Sequence, residues 1–268
     1  MTLLTVDKLS ITSGGKTLVS GVSLSIAPGE RLGLIGESGS GKSLTAMAIT
    51  GLLPRALTPN GSIVLDDQQV IGAQESQLKR LRGNASAVIF QEPLTALDPL
   101  MRLGRQIMEP LYRRYRREGR DPDKRALRAE MLQLMEHVSL PNPERIAAAY
   151  PFEVSGGQRQ RVAIAMALAC NPKLLIADEP TTALDVTTQA EILALLDRLV
   201  RELGMAMLFI SHDLPVVAQV VDRVVVLRNG AIVEAGPVAG VLGNPQEPYT
   251  KTLVEAAQAF DRALDGQP

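Results

Sequence analysis

An eight-residue stretch rich in glycine, GESGSGKS at positions 36–43, constrains this chain more than any other segment. It fits the pattern G-x-x-x-x-G-K-[ST] in full, and it lies between an apolar run of strand length (31–35) and a helix-forming run (44–50). Glycines let successive backbone N–H groups converge on one anion, and the start of a helix adds partial positive charge. The pattern therefore predicts a strand, a phosphate-binding loop and a helix, in preference to a glycine-rich loop that binds nothing.

The loop supplies two side chains of distinct chemistry. Lys42 would neutralise the β- and γ-phosphates of a bound nucleotide, and the hydroxyl of Ser43 would ligate Mg²⁺. The residues expected to contact the nucleotide are Gly36, Glu37, Ser38, Gly39, Ser40, Gly41, Lys42 and Ser43.

Composition excludes several classes of protein. With 268 residues, 46% hydrophobic and 21% charged, the chain has ordinary globular composition and enough length to bury a core. A net charge of −1 gives no support for a nucleic-acid partner, and the single cysteine, Cys170, excludes an intramolecular disulfide or a cysteine-based metal cluster. The N-terminus lacks a signal-peptide pattern and no apolar run reaches ~18 residues, so we expect a chain that does not cross a membrane by itself.

Short strands and helices alternate along most of the chain. Segments 3–11 and 22–26 alternate apolar and polar residues, which predicts an antiparallel sheet before the glycine loop. Tight turns are expected at three residue pairs: Gly14-Gly15, Asp66-Asp67 and Asn229-Gly230. Buried strands that alternate with helices elsewhere predict an α/β protein with a parallel sheet.

A helical region interrupts this alternation between about residues 100 and 150. The apolar residues that fit one face of an amphipathic helix are Leu127, Met131, Leu134, Met135 and Val138. A basic cluster precedes this helix: Arg113, Arg114, Arg116, Arg117 and Arg120. We interpret the cluster as a solvated face rather than a nucleic-acid patch, and the region as a helical insertion within the α/β core.

Polar side chains follow the predicted buried strands. Gln91 follows the strand at 87–90, the pair Asp178-Glu179 ends the next buried strand, and His212 lies just beyond another. Ligands bind at this end of the strands in open α/β sheets. Asp178 is placed to hold Mg²⁺ through water, Glu179 to polarise an attacking water, and His212 to stabilise charge on the γ-phosphate. Gln91 could reach the metal or the water, and a purely structural role is the alternative for His212.

The segment VSGGQ at 154–158 opens a helix predicted over 158–170. Ser155 and Gln158 have the spacing of a capping box, which by itself needs no ligand. Gly156 and Gly157 leave the neighbouring N–H groups sterically open, which suits an anion as well as a cap.

Together these motifs resemble the nucleotide-binding subunit of an ABC transporter over nearly the full length of the chain. The resemblance implies that residues 36–43 are the Walker A motif and Gln91 the Q-loop glutamine. It implies that 154–158 are the signature, 174–178 the Walker B motif before a catalytic Glu179, 183–185 the D-loop and His212 the H-loop.

What the family implies is an α/β P-loop NTPase core with an antiparallel β subdomain and a helical insertion subdomain, acting as an ATPase with ATP and Mg²⁺. The metal would be held by Ser43, Asp178 and Gln91. In a head-to-tail dimer, the signature residues Ser155, Gly156, Gly157 and Gln158 would serve the nucleotide site of the neighbouring subunit. Asp185 of the D-loop is a further residue expected to bind the nucleotide.

The resemblance also divides the chain, as a single ABC ATPase domain. Residues 1–95 and 156–235 would form the nucleotide-binding core, 96–155 the helical subdomain and 236–268 a C-terminal extension.

Several segments are similar to the peptide and nickel uptake branch of this family, and most of all to its short nickel-type D subunits. They are GESGSGKSL at 36–44, QEPLTALDP at 91–99, YPFE at 150–153 and PYT at 248–250. Longer relatives carry a C-terminal cysteine motif for an iron–sulfur cluster. No cysteine follows Cys170, so no such cluster is expected.

The implied system is a binding-protein-dependent importer of peptides, nickel or metal–chelator complexes. Its other parts would be a second ABC ATPase subunit (identical or paralogous), two transmembrane permease subunits and an extracytoplasmic substrate-binding protein. This chain would lie at the cytoplasmic face of the inner membrane as a peripheral subunit, with residues 91–99 relaying motion to the permease. The alternative is a soluble ABC-type ATPase of a non-transport complex, such as the carbon–phosphorus lyase machinery.

Two positions depart from the family pattern. Most members stack adenine on an aromatic side chain upstream of Walker A, and the comparable place here, 11–13, has none. Base stacking contributes about 1–3 kcal/mol, so weaker ATP binding and reduced base selectivity are expected. Val154 replaces a common leucine, a change expected to be harmless.

Overall fold

The computed structural model of the protein describes residues 2–92, 96–182 and 184–264, with the backbone alone for 260–264. In chain order the strands are β1 (Leu4–Ser13), β2 (Lys16–Ile26), β3 (Arg31–Ile35), β4 (Thr58–Leu65), β5 (Gln68–Gln69), β6 (Ser86–Ile89), β7 (Leu174–Asp178), β8 (Ala206–Ser211), β9 (Arg223–Arg228) and β10 (Ala231–Pro237). The α-helices are α1 (Lys42–Ile49), α2 (Glu75–Leu81), α3 (Leu103–Arg117), α4 (Lys124–His137), α5 (Pro143–Ala148), α6 (Gly156–Leu168), α7 (Val186–Leu203), α8 (Leu214–Val220), α9 (Val238–Gly243) and α10 (Pro248–Leu264). The chain forms two compact units, one from the residues up to Leu81 together with those from Gly204 onward, and one from Arg82–Leu203.

The first unit contains the predicted antiparallel sheet, in the strand order β2-β1-β4-β5. Buried and exposed residues alternate along much of β1 and β2, because one face of the sheet covers the core and the other meets water. Two-residue turns join β1 to β2 and β4 to β5, at the pairs expected from the sequence. The central residues of both turns have positive φ: Gly14, Gly15, Asp66 and Asp67.

The same unit contains the strand that carries the glycine loop. β3 pairs in parallel with β8 on one side and with β9 on the other, while β10 pairs antiparallel to β9. Every residue of β8 is buried, as in sheets whose two faces are both covered. Asn229 and Gly230, both with positive φ, close the predicted hairpin between β9 and β10.

The second unit contains a parallel pair, β6 and β7, and the predicted helical region, α3 to α5. The apolar face of α4 is largely as predicted, since Leu127, Met131, Met135 and the following Val138 are buried and Leu134 is half-buried.

The interpretation of the basic cluster as a solvated face is wrong for one of its five members. Arg114 is buried, donates to the carbonyl oxygen of Ala169 at 2.9 Å and pairs with Glu130. The neighbouring Tyr115 is buried too, and the guanidinium carbon of Arg120 lies 3.9 Å from the centroid of its ring. Burial of an arginine depends on partners such as these, which lie far along the chain, so the local charge pattern could not separate Arg114 from its exposed neighbours.

Some predictions are not addressed by the described residues. The division into core, helical subdomain and C-terminal extension remains a prediction. Residues 93–95 of the predicted relay segment, Ala183 of the predicted D-loop and the last four residues of the chain lie outside the described part. Among the described helices, none is both long and apolar enough to cross a membrane.

Candidate functional site

The glycine loop connects β3 to α1. Gly36 has φ +148°, and a Cβ built there would lie 2.2 Å from the carbonyl oxygen of Leu227. Gly41, directly before α1, has φ +101°. The first and sixth positions of the motif therefore need glycine for the path of the backbone, independently of any ligand.

Lys42 bends back over this loop. Its ammonium nitrogen donates to the carbonyl oxygens of Gly36 at 2.7 Å and Glu37 at 2.9 Å, and the residue is 5% exposed. Because the aliphatic stem is buried and the head group is held by two carbonyls, the positive charge has a fixed place at the loop. A point charge held this way suits the oxygens of a phosphate chain.

His212 shares a cleft with the loop. β8 ends at Ser211, which lies opposite Ile35 in the parallel register, so the residues that follow both strands emerge at one edge. A cleft of about 340 Å³ at this edge is lined by Gly36, Glu37, Ser38, His212, Leu214 and Leu253. The structure thus brings His212 to the loop, while its action on a phosphate remains a prediction.

Gln91 and the two carboxylates lie together in the second unit. β6 and β7 are parallel and in register, so the residues that follow them also emerge at one edge. Gln91 Nε2 donates to Glu179 Oε2 at 3.2 Å, and the hydroxyl of Thr182 donates to the same oxygen at 3.0 Å. Asp178 is the buried last residue of β7.

The backbone of Glu179 lies in the left-handed region, with φ +48°. For a residue with a Cβ this conformation costs about 1–2 kcal/mol, and such strain is concentrated at functional sites. The segment is held in place partly by Gln160, which is fully buried and donates to the carbonyl oxygen of Pro180 at 2.7 Å. The sequence analysis missed both Thr182 and Gln160, because neither belongs to a sequence motif that predicts a functional role for it.

Ser155 and Gln158 form the predicted capping box. The Gln158 N–H donates to Ser155 Oγ at 3.3 Å, and the Ser155 N–H donates to Gln158 Oε1 at 3.2 Å. The helix they cap, α6, begins at Gly156 and ends at Leu168, two residues earlier at each end than predicted.

Gly157 packs closely against the helix α7. A Cβ built on Gly157 would lie 2.6 Å from Cγ2 of Thr188 at the start of α7. A side chain at 157 would displace the methyl group of Thr188, so the packing of the two helices favours glycine there. At Gly156 the nearest contact of a built Cβ is 3.4 Å, to the side chain of Leu184. The accessibility of the N–H groups of both glycines to an anion remains a prediction.

Asp185 caps α7. It accepts hydrogen bonds from the N–H of Thr188 at 3.0 Å and from the Thr188 hydroxyl at 2.8 Å. The bond from the Thr188 N–H, aided by the one from its hydroxyl, holds the pKa of Asp185 below its usual value. A local capping role is therefore established, and a nucleotide contact remains a prediction.

A phosphate-type glycine loop between a parallel strand and a helix, beside other strands that end in polar side chains, defines a P-loop nucleotide-binding protein. Residues 19–182 match the family described as ABC transporter. The chain belongs to the ABC transporter family, and it is an ATPase of the ABC type.

Individual relatives and a solved structure agree with this assignment. The Probable D,D-dipeptide transport ATP-binding protein DdpD of Escherichia coli (strain K12) is 46% identical over 247 residues, which are 91% of this chain and 74% of DdpD. The oligopeptide transport ATP-binding protein OppD of Bacillus subtilis (strain 168) is 45% identical over 265 residues, 97% of this chain and 73% of OppD. The ATP-binding cassette MJ0796, solved as a dimer in a post-hydrolysis state with ADP and Pi, superposes with a TM-score of 0.77 at 29% identity, covering 88% of this chain and 98% of that cassette. The predicted ABC ATPase fold is confirmed.

Proposed function

We propose that this chain is the ATP-hydrolysing subunit of a peptide importer. The observation that carries the proposal is its likeness, over more than nine-tenths of its length, to OppD and DdpD, which are named for the transport of oligopeptides and D,D-dipeptides. Nickel or a metal–chelator complex is the alternative substrate to peptides, because several segments of the chain also resemble nickel-uptake subunits.

The first unit supplies the phosphate-binding chemistry. The loop N–H groups and the ammonium of Lys42 bind the β- and γ-phosphates, and His212, which lines the same cleft as Gly36–Ser38, donates to the γ-phosphate as charge develops. Ser43 contributes a hydroxyl as a magnesium ligand.

The second unit supplies the carboxylates. Glu179 acts as general base on the attacking water, and Asp178 with Gln91 provides further oxygen ligands of the kind that Mg²⁺ prefers. The hydrogen bond from Gln91 Nε2 to Glu179 supports both roles, because it commits the nitrogen of the amide to the base and leaves Oε1 to the metal. Bound Mg²⁺ would neutralise charge on the β- and γ-phosphates.

Hydrolysis is coupled to closure of a head-to-tail dimer of ATPase subunits. Ser155 to Gln158 and Asp185 act on the nucleotide bound by the neighbouring subunit, and the dimeric state of MJ0796 with ADP and Pi supports such a cycle. The partners are a second ABC ATPase subunit, two permease subunits and an extracytoplasmic binding protein. The chain is thereby a peripheral subunit on the cytoplasmic face of the inner membrane.

Affinity capture from membranes tests the transport assignment. A tagged Glu179→Gln chain, held with MgATP so that complexes persist, should retain two integral membrane permease subunits and an ABC ATPase subunit after mild solubilisation. A Lys42→Ala chain, which lacks the ammonium proposed to bind the phosphates, is the matched control and should retain less of the second ATPase subunit. Recovery of soluble enzyme subunits in place of permeases would overturn the assignment in favour of a non-transport complex.

Uptake measurements then identify the cargo. Cells whose only copy of the chain is the Lys42→Ala form should lose uptake of labelled di- and oligopeptides while nickel uptake is unchanged. Loss of nickel uptake with intact peptide uptake would reject peptides as the cargo.

A further inference from the structure

The segment PYT at 248–250 is a sequence feature that the proposed chemistry leaves unexplained. It opens α10, and its Tyr249 is 7% exposed although it stands near the C-terminus of the chain. A buried tyrosine normally gives its hydroxyl a polar partner. Here the partner is the glycine loop, 212 residues away in sequence: the phenol oxygen of Tyr249 accepts a hydrogen bond from the N–H of Glu37 at 3.1 Å.

The N–H of Glu37 belongs to the same peptide group as the carbonyl of Gly36. That carbonyl accepts the 2.7 Å hydrogen bond from the ammonium of Lys42. Because the N–H and C=O of a trans peptide point in opposite directions, one peptide plane is held from both sides, by Tyr249 on its N–H and by Lys42 on its C=O. Rotation of this plane would break both bonds and take away one of the two carbonyls that hold the Lys42 charge.

Tyr249 is itself fixed from two further directions. The guanidinium carbon of Arg228 lies 4.7 Å from the centroid of its ring, and Arg228 follows Leu227, whose carbonyl oxygen closes on Gly36. At the start of α10, the carboxylate of Glu234 in β10 accepts hydrogen bonds from the N–H groups of Gln246 at 2.9 Å and Glu247 at 3.3 Å. The entry to α10 is thus tied to the β9–β10 hairpin that also borders the loop.

One turn beyond Tyr249, the side chain of Leu253 lines the 340 Å³ cleft that contains His212 and the start of the loop. Residues four apart lie on one face of a helix, so α10 turns Tyr249 and Leu253 towards the same place. One face of α10 therefore supplies both the hydrogen bond to the loop, from Tyr249, and a side chain that lines the adjoining cleft, from Leu253.

We propose that Tyr249 is a positioning residue for nucleotide binding: its hydroxyl locks the Gly36–Glu37 peptide in the orientation that anchors Lys42. The inference rests on the nucleotide-binding role of this loop in the proposed function. It predicts that the hydroxyl of Tyr249 acts on affinity for the phosphate chain through the Gly36–Glu37 peptide.

Titration calorimetry with MgATP and MgADP on the full chain tests this, using Tyr249→Phe, which keeps the ring and its contact with Arg228. The dissociation constants of both nucleotides should rise about three- to tenfold, as expected from losing one hydrogen bond. In steady-state hydrolysis the KM for ATP should rise by a similar factor, while kcat at saturating ATP stays within about twofold. The matched control is Tyr112→Phe, which removes a hydroxyl from a half-exposed tyrosine in the second unit and should leave both constants unchanged.

Unchanged nucleotide affinity in Tyr249→Phe would overturn the inference. So would a rise in the dissociation constant accompanied by a fall of more than about 4 °C in the melting temperature of the nucleotide-free protein, because it would assign Tyr249 to general stability. These outcomes are distinct from failure of the proposed function. If the unmodified chain binds no nucleotide, the proposed function fails; if it binds and Tyr249→Phe binds equally well, only the role of Tyr249 fails.

Discussion

At the scale of single residues, Glu179 combines a strained backbone with a carboxylate held by two donors, Gln91 and Thr182. Glu179→Gln keeps the size of the side chain and an oxygen that can accept from both donors, but it removes the carboxylate proposed as the general base. We expect ATP hydrolysis to fall at least about 100-fold while the dissociation constant for MgATP changes little. Phosphate release and nucleotide binding measured on the same preparation check this, with Glu109→Gln on the surface of α3 as the control. Hydrolysis at the unmodified rate would show that Glu179 is not the base.

The two histidines of the chain form a natural pair for comparison. His212 lines the loop cleft, whereas His137 ends α4 and faces Glu202 at 3.6 Å. We expect His212→Ala to lower kcat by about 100- to 1000-fold, the effect of removing one donor to developing charge, and His137→Ala to leave kcat unchanged. Equal turnover in both variants would return His212 to a structural role.

Base selectivity should be low, because nothing aromatic precedes the loop at residues 11–13. Ile11 is fully buried in the antiparallel sheet and offers no surface to a base. We therefore expect the dissociation constants of MgATP and MgGTP to agree within about threefold, since the stacking energy of about 1–3 kcal/mol is absent. Competition of both nucleotides for a fluorescent analogue measures the ratio, and a strong preference for ATP would contradict the expectation.

At the scale of elements, the helical region depends on a close approach at Gly104 in α3. A Cβ there would lie 2.8 Å from Cβ of Ala147, 2.9 Å from its carbonyl oxygen and 2.9 Å from the sulfur of Met131. Overpacking costs about 1–3 kcal/mol and exceeds the helix-propensity gain of up to about 1 kcal/mol, so Gly104→Ala should lower the free energy of unfolding by about 1–2 kcal/mol.

Gly240 in α9 is the matched control for this substitution. It is exposed, and a Cβ built on it meets no atom within 4 Å. Gly240→Ala should therefore raise the free energy of unfolding by up to about 1 kcal/mol. Urea denaturation, followed by circular dichroism, measures the free energy of unfolding of both variants. If Gly104→Ala is more stable than the unmodified protein, α3 and α5 can move apart at little energetic cost.

The elements themselves were largely predictable from the sequence, and the reasons are local. Two-residue turns at Gly14-Gly15 and Asn229-Gly230 need positive φ, which these residue types supply. The capping box at Ser155 and Gln158 was predictable from the sequence because its two residues are three positions apart. The close packing at Gly157 was not, because its neighbour Thr188 lies 31 positions away on another helix.

At the scale of the whole molecule, the proposed cycle requires two ATPase subunits. With MgATP, the Glu179→Gln chain should accumulate as a dimer, on its own or mixed with the second ATPase subunit captured from membranes, and it should remain monomeric with MgADP. Light scattering coupled to gel filtration measures the mass. Adding Ser155→Arg, which places a bulky side chain at the exposed helix start, should prevent the dimer. Monomers in every mixture would contradict ATP-driven closure.

The position of the candidate site residues at the ends of strands was predictable from the sequence, but the contact of Tyr249 that supports the loop was not. Residues that follow paired parallel strands emerge at the same edge of a sheet, because the register fixes where the strands end. This places His212 near the glycine loop and Gln91 near Glu179, as predicted from the sequence. The hydrogen bond from the Glu37 N–H to the Tyr249 hydroxyl joins residues that are 212 positions apart in the sequence. No periodicity or motif spacing in the sequence indicates such a contact. Supports of this kind depend on tertiary packing, which sequence patterns of short range do not encode.

The capping box of α6 has a consequence for how easily the proposed dimer opens. The side chain of Ser155 already accepts from the N–H of Gln158, and the side chain of Gln158 accepts from the N–H of Ser155. A phosphate that binds at this helix start would compete with both side chains for these N–H groups. At these two N–H groups, binding would exchange one acceptor for another, so the net gain per hydrogen bond would be about 0.5–1.5 kcal/mol and not the full strength of an unpaired donor. After the γ-phosphate leaves, Ser155 and Gln158 would re-form these two hydrogen bonds, so neither of the two N–H groups would be left unpaired. A helix start that recovers two of its own hydrogen bonds lowers the cost of release, which suits a subunit that must bind and release nucleotide repeatedly.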